Sequence, residues 1–188
     1  MQKSTTKRLV TTAIMVALAA ILSLLKVFEM PLGGSITLLS MLPIVLLSVK
    51  YGVKWGMFSS LFYAVVQIAM DLAKTMTYGY SAKLWIGSIV FDYIIAFGVL
   101  GLAGAFAKKG TVGICFGTAM ALALRFCSHV VSGTIFFNIY CPEEWGTHTF
   151  LYAICYNGAY MLPELIFTLI GVTLLVKVPQ MKKLVMAE

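Results

Sequence analysis

The sequence predicts an all-α integral membrane protein with six transmembrane helices and both termini cytoplasmic. Three observations carry this expectation. The chain has 188 residues, 61% of them hydrophobic and only 11% charged, whereas soluble domains average about 45–50% apolar and about 25% charged. The apolar residues fall in runs close to the ~20 residues that a spanning helix needs. The lysines and arginines collect in alternate connections, the bias that places basic loops on the cytoplasmic side. No soluble domain is evident, so the reading is one membrane domain over residues 1–188.

Taken in order, the predicted spans are 9–28, 36–49, 55–70, 84–107, 111–140 and 150–178. The N-terminal stretch MQKSTTKRLVTTAIMVALAA has a basic start followed by an apolar run, as a signal peptide does. The run continues to Phe28 with no small-residue cleavage site, so it is read as a retained first span. Residues 36–70 are broken at KYGVK into two short pieces, which form either a hairpin dipping partway or two short spans. Two spans make the charges agree. One side then carries Lys3, Lys7, Arg8, Lys50, Lys54, Lys108, Lys109, Lys177, Lys182 and Lys183; the other has Lys26, Lys74 and Lys83 beside Glu29, Asp71, Glu143 and Glu144. This asymmetry accounts for the net charge of +7 without a nucleic-acid partner. Membrane lipid is the surrounding phase.

Missing patterns exclude several functions. There is no G-x-x-x-x-G-K-[ST] phosphate loop, so the chain carries no recognisable ATPase. HExxH and GxSxG are absent, and no catalytic residues, metal ligands or cofactor are expected. Cys115, Cys127, Cys141 and Cys155 have no metal-ligand spacing and read as small buried hydrophobes. In the first span Ala13 and Ala17 stand four apart, a spacing that lets another helix approach closely, either within this chain or in a partner.

Three charged residues remain inside spans: Asp92, Arg125 and Glu164, joined by the polar His129 and Asn157. A charge at membrane depth costs several kcal/mol, so such residues are paired or functional. At 1.5 Å per residue, Asp92 lies ~12 Å, Asn157 about 10 Å and His129 roughly 16 Å from the outer side, with Arg125 and Glu164 at roughly 21–22 Å. The deeper two are expected to form a structural ion pair between the fifth and sixth spans, aided by a carbonyl freed at Pro163. The outer layer of Asp92, His129 and Asn157 has no basic residue left to neutralise the carboxylate. Aromatic residues stand near it in sequence. Either Asp92 meets a flat organic cation, with rings supplying stacking and cation–π attraction, or it is protonated or bonded to His129.

Four segments, GGSITLLSMLPIVLLSVKYGVKWG (33–56), FDYIIAFGVLGLAGAF (91–106), RFCSHVVSGTIFF (125–137) and LYAICYNGAYMLPE (151–164), resemble the thiamine-specific substrate-binding subunit, or S component, of energy-coupling factor (ECF) transporters. They cover most of the chain in the family's order. The resemblance implies a high-affinity thiamine-binding subunit in the plasma membrane that captures its substrate from outside. It also implies partners: a transmembrane coupling subunit, docked through Ala13 and Ala17, and two cytoplasmic ATPase subunits. It places substrate binding on Asp92, Tyr93, His129, Phe137, Tyr152, Asn157 and Tyr63, with Asp92 opposing the positive ring. Asp92 is one methylene shorter than the family's glutamate, and Phe137 and Tyr63 stand where tryptophan is expected. Two alternatives stand beside this reading: an S component for another vitamin or precursor, and an autonomous proton-coupled carrier.

Overall fold

The computed structural model describes residues 2–179; Lys182 and Lys183 of the charge argument lie outside the described residues. Helix α1 (Gln2–Leu24) leads into a two-stranded antiparallel hairpin, β1 (Lys26–Glu29) and β2 (Ser35–Thr37), with Phe28 opposite Ile36. Two helices follow, α2 (Leu42–Tyr51) and α3 (Val53–Thr77), separated at Gly52, whose φ of 82° breaks the helical path. The next helical stretch changes its winding three times: α4 (Ala82–Ser88), a π-helical segment (Ile89–Ile95), α5 (Ala96–Gly98) and a 3-10 segment (Val99–Lys109). Helices α6 (Gly110–Ile135) and α7 (Thr149–Lys177) complete the bundle.

Four helical stretches are long and apolar enough to cross a membrane: Thr5–Leu24, Val53–Thr77, Ala82–Ile135 and Thr149–Lys177. The third, at 54 residues, turns back on itself at Gly110, which has a φ of 75°. Its two arms then run so close that a Cβ on Gly113 would come within 2.1 Å of the Phe106 carbonyl, and one on Gly117 within 2.2 Å of the Ala103 carbonyl. Only glycine allows such contact between backbones.

Two sequence expectations need correction here. The predicted span 36–49 is a helix only from Leu42; its first residues complete strand β2 and a turn in which Leu39 adopts a φ of 62°. Pro43 sits in the first turn of α2, where its missing N–H needs no partner. Ten residues of helix reach only about 15 Å, half of the hydrocarbon thickness. The all-α expectation also missed the β-hairpin, because strands of three and four residues leave no readable alternation.

The surface is apolar and the interior is mixed. Ile14, Val65, Phe116 and Leu174 point outward, while Ser48, Ser60, Thr118, Thr168, Arg125 and Glu164 are buried. In lipid no hydrophobic force drives helices together, so small residues and interhelical hydrogen bonds do so. Ser48 shows the device: its hydroxyl donates to the Gly101 carbonyl at 2.5 Å and accepts from the Gly104 N–H at 2.9 Å. A Cβ on Gly104 would fall 2.2 Å from the Ser48 carbonyl. At one end of the bundle the Arg8 guanidinium and the Lys50 ammonium both lie over the Tyr51 ring, at 5.4 and 5.5 Å from its centre. This gathers the basic residues of α1 and α2 on the side of the α2–α3 junction.

Candidate functional site

A cavity of about 230 Å³ opens between the hairpin, α3, the π segment, α6 and α7. The π segment supplies its central carboxylate. The Ala96 N–H bonds back to the Phe91 carbonyl, and Ser128 of α6 donates to that same oxygen at 2.6 Å. The widened turn thus acquires a partner from the neighbouring helix. Such π-helical insertions are rare and concentrate at functional sites. Here neighbours Asp92 and Tyr93 both line the cavity yet engage different helices. Asp92 Oδ1 is 2.9 Å from His129 Nδ1, and Oδ2 accepts from the Ser132 hydroxyl at 2.7 Å, both on α6. The Tyr93 hydroxyl donates to Asp71 Oδ2 of α3 at 3.1 Å.

Helix α7 lays Tyr152, Tyr156 and Tyr160 along one face at four-residue spacing, with successive ring centres 6.0 and 6.1 Å apart. Asn157 is buried beside them. Its amide donates to the Ala153 carbonyl at 2.8 Å, and its carbonyl accepts from the Tyr160 hydroxyl at 2.7 Å. The hairpin closes the cavity on this side: the Tyr156 hydroxyl donates to the Pro31 carbonyl, and the Gly34 N–H lies 3.4 Å from that hydroxyl. At the mouth, Tyr80 packs edge-on against Phe137 at 5.4 Å. Burial, with Tyr140 and Tyr78 nearby, pushes the Tyr80 hydroxyl above its ordinary pKa, so it stays a neutral donor.

The structure therefore brings six of the sequence-selected residues to one cavity: Asp92, Tyr93, His129, Phe137, Tyr152 and Asn157. Tyr63 is not among them. It is fully buried, edge-on to Phe97 at 5.1 Å, with its hydroxyl 3.4 Å from the Ala19 carbonyl. Ala13 and Ala17 lie on the outward face of α1, away from the cavity.

The expected ion pair is also corrected. Among the described residues no ion pair within 4.0 Å joins Arg125 to Glu164, although both line the inner part of the cavity. Glu164 Oε1 instead accepts both the backbone N–H and the hydroxyl of Thr37, the latter at 2.6 Å. The Arg125 guanidinium lies 4.0 Å from the Phe97 ring centre and donates to Met41 Sδ at 3.7 Å. A buried carboxylate left without donors is costly, and the hairpin supplies Glu164 with two. Equal depth on adjacent helices says nothing about such a competitor.

Sequence reasoning missed several lining residues. Ser132 follows His129 by three positions, one helical turn, and that spacing would have found it. Asp71 read as an outer-loop charge because α3 was ended at residue 70 rather than at Thr77. Thr37 and Gly34 had no signal, since the hairpin itself was not foreseen.

A bundle of apolar helices enclosing a polar, aromatic cavity lined by three carboxylates, Asp71, Asp92 and the buried Glu164, defines a membrane protein built to hold a small organic molecule. The chain belongs to the thiamine transporter protein family (Thia_YuaJ), whose model matches residues 9–184. It is 34% identical over 182 residues to the thiamine transporter ThiT of Bacillus subtilis (strain 168), covering 89% of each chain. Its fold matches a solved structure of ThiT from Listeria monocytogenes with a TM-score of 0.73 at 21% identity, over 95% of this chain and 98% of that one. The family is one of multi-pass membrane transporters rather than enzymes.

Proposed function

We propose that this protein is the thiamine-binding S component of an ECF-type importer, capturing its substrate from outside for uptake driven by ATPases on partner subunits. The observation that carries the reading is the convergence of Asp92, Tyr93, His129, Phe137, Tyr152 and Asn157 on one cavity from the π segment, the end of α6, and α7. Thiamine joins a cationic thiazolium ring to a neutral aminopyrimidine. Aromatic faces and the Asp92 carboxylate suit the cation, and Asn157 and the tyrosine hydroxyls suit the hydrogen-bonding ring. Family membership supports the substrate.

In this reading the chain crosses the membrane six times as a single domain with cytoplasmic termini. The crossings are α1, the short α2, α3, the stretch from α4 to Lys109, α6 and α7. The hairpin fills the outer half above α2. Ala13 and Ala17, outward on α1, meet the transmembrane coupling subunit, and two cytoplasmic ATPase subunits complete the assembly.

Calorimetric titration of the detergent-purified protein with thiamine tests the substrate. A dissociation constant below about 1 μM, or about −8 kcal/mol, is expected, and no binding to verifiably folded protein would refute the assignment. A second reading, an autonomous proton-coupled carrier, draws on the part-buried Asp92–His129 contact. Thiamine accumulation in vesicles holding this chain alone, without ATP, would favour it.

A further inference from the structure

We infer that Ser128 is a positioning residue of the binding site: its hydroxyl holds the π turn that aims Asp92 and Tyr93 into the cavity. This rests on the thiamine reading above, and it concerns a side chain that does not itself line the cavity.

The pattern of burial shows what the π turn does. Leu84 and Gly87 face inward on α4. In an uninterrupted α-helix, residues three and four apart share a face, so that inward face would continue through Phe91 to Ile95. Ile95 is instead 38% exposed, and Ala96 and Phe97 are buried in its place. The inward face arrives one residue late. Bonding from i to i+5 takes one residue more per turn than α-helical bonding does, and the π segment lies between the two flanks. Counting back four positions from Ala96 and Phe97 gives Asp92 and Tyr93. Both follow the later flank, and both line the cavity.

Rewinding the segment as regular α-helix would displace one flank around the axis by about 100°, the rotation of a single residue. Neither flank is free to turn. Leu84 and Gly87 are buried before the segment, and Ala96, Phe97 and Leu100 after it. The mismatch therefore falls on the turn that carries Asp92.

The turn in its π form needs a partner outside its own helix. The Phe91 carbonyl accepts the Ala96 N–H, five residues on, and also the Ser128 hydroxyl at 2.6 Å. A carbonyl oxygen has two acceptor positions, and both are used. Ser128 is 6% exposed, and a buried hydroxyl stripped of its acceptor is costly. In an α-helix that carbonyl points along the axis to the N–H four residues on, away from α6. Ser128 thus favours the π winding. It stands one residue before His129 and one turn before Ser132, the two partners of the Asp92 carboxylate. One helix fixes both the backbone of the turn and the side chain it presents.

Purified full-length protein carrying isotope-labelled histidine tests this role. The chain has two histidines. The His129 Nδ1 signal reports the contact with Asp92, and His148, in the connection before α7, is the internal reference. Ser128→Ala is expected to shift the His129 signal and to weaken thiamine binding tenfold or more by calorimetry. Ser128→Thr keeps the hydroxyl and is expected to retain the wild-type signal and bind within threefold of wild type. Ser128→Cys, close to serine in shape but only a weak donor, is expected to fall between them, and it carries the test if Ser128→Ala does not fold. Ser60→Ala is the control. It removes a buried hydroxyl that bonds the Gly56 carbonyl of its own helix at 2.7 Å, and it should leave the His129 signal in place and affinity within twofold. An unshifted His129 signal in Ser128→Ala or Ser128→Cys, or an equal shift in Ser60→Ala, would overturn the positioning role. The signal is read without ligand, so a folded wild type that binds no thiamine would overturn the substrate reading separately.

Discussion

Thr37, the last residue of the β-hairpin, donates both its backbone N–H and its hydroxyl to one oxygen of Glu164, a carboxylate 1% exposed near the middle of α7. This contact seats the hairpin on the bundle. It joins residues 127 positions apart and fixes the segment that closes the cavity beside Tyr156. Thr37→Val removes one of the two donors and also the contact with Ser40 at 2.6 Å. The expected loss is about 1–3 kcal/mol, read as a lowered melting temperature in detergent and as faster amide exchange across residues 26–37. Unchanged exchange would show that the hairpin is held by something else.

The Asp92–His129–Ser132 cluster is expected to be the most sensitive part of the site. Asp92→Asn removes a charged acceptor shared by two donors, a change of about 1.5–3 kcal/mol per hydrogen bond. Thiamine affinity should fall at least tenfold by calorimetry. Lys108→Gln, at an exposed position next to the Gly110 turn, should leave affinity within twofold. Equal effects would remove Asp92 from the site.

Two tyrosines on different helices separate lining residues from core residues. Tyr160→Phe deletes the donor that holds the Asn157 carbonyl at 2.7 Å and frees that amide to turn, so affinity should drop several-fold. Tyr63→Phe deletes a hydroxyl that meets the Ala19 carbonyl and, behind the cavity wall, Ser23 and Ser40, but the ring itself lines no part of the cavity, and affinity should fall less than for Tyr160→Phe. A larger loss for Tyr63→Phe would restore it to the binding set.

Glycine replacements of opposite sign test the packing. Gly104→Ala places a methyl 2.2 Å from the Ser48 carbonyl, where a backbone has no room to yield, and overpacking of this kind costs about 1–3 kcal/mol. Gly158→Ala meets nothing nearer than Phe126 at 4.0 Å, so helix propensity alone acts, stabilising by up to about 1 kcal/mol. Melting temperatures should move down and up respectively.

The six-crossing topology is tested by single cysteines on a background with the four native cysteines changed to serine. A membrane-impermeant maleimide applied to intact cells should label Glu144→Cys and leave Lys108→Cys unlabelled until the cells are opened. The reverse pattern would invert the orientation.

The sequence determined the membrane class and most of the long helices, because each follows from local composition. A run of apolar residues must be in lipid wherever the rest of the chain goes. The same locality made Asp92, Arg125 and Glu164 conspicuous, since a charge inside an apolar run stands out without any partner being known. What those charges touch was decided only by the tertiary structure. The pairing of Arg125 with Glu164 was inferred from equal depth, but Thr37 reaches Glu164 from a hairpin too short to register as strands, and Phe97 takes the face of Arg125. Tyr63 and Tyr160 are both tyrosines in helices, and nothing along the chain distinguishes one buried in the core from one lining the cavity. Ser132 and Asp71 became visible when the π segment turned Asp92 toward α6 and Tyr93 toward α3. Depth along a helix can be read from residue count; direction around the bundle depends on winding, crossing and competition among distant donors, which only the folded chain resolves.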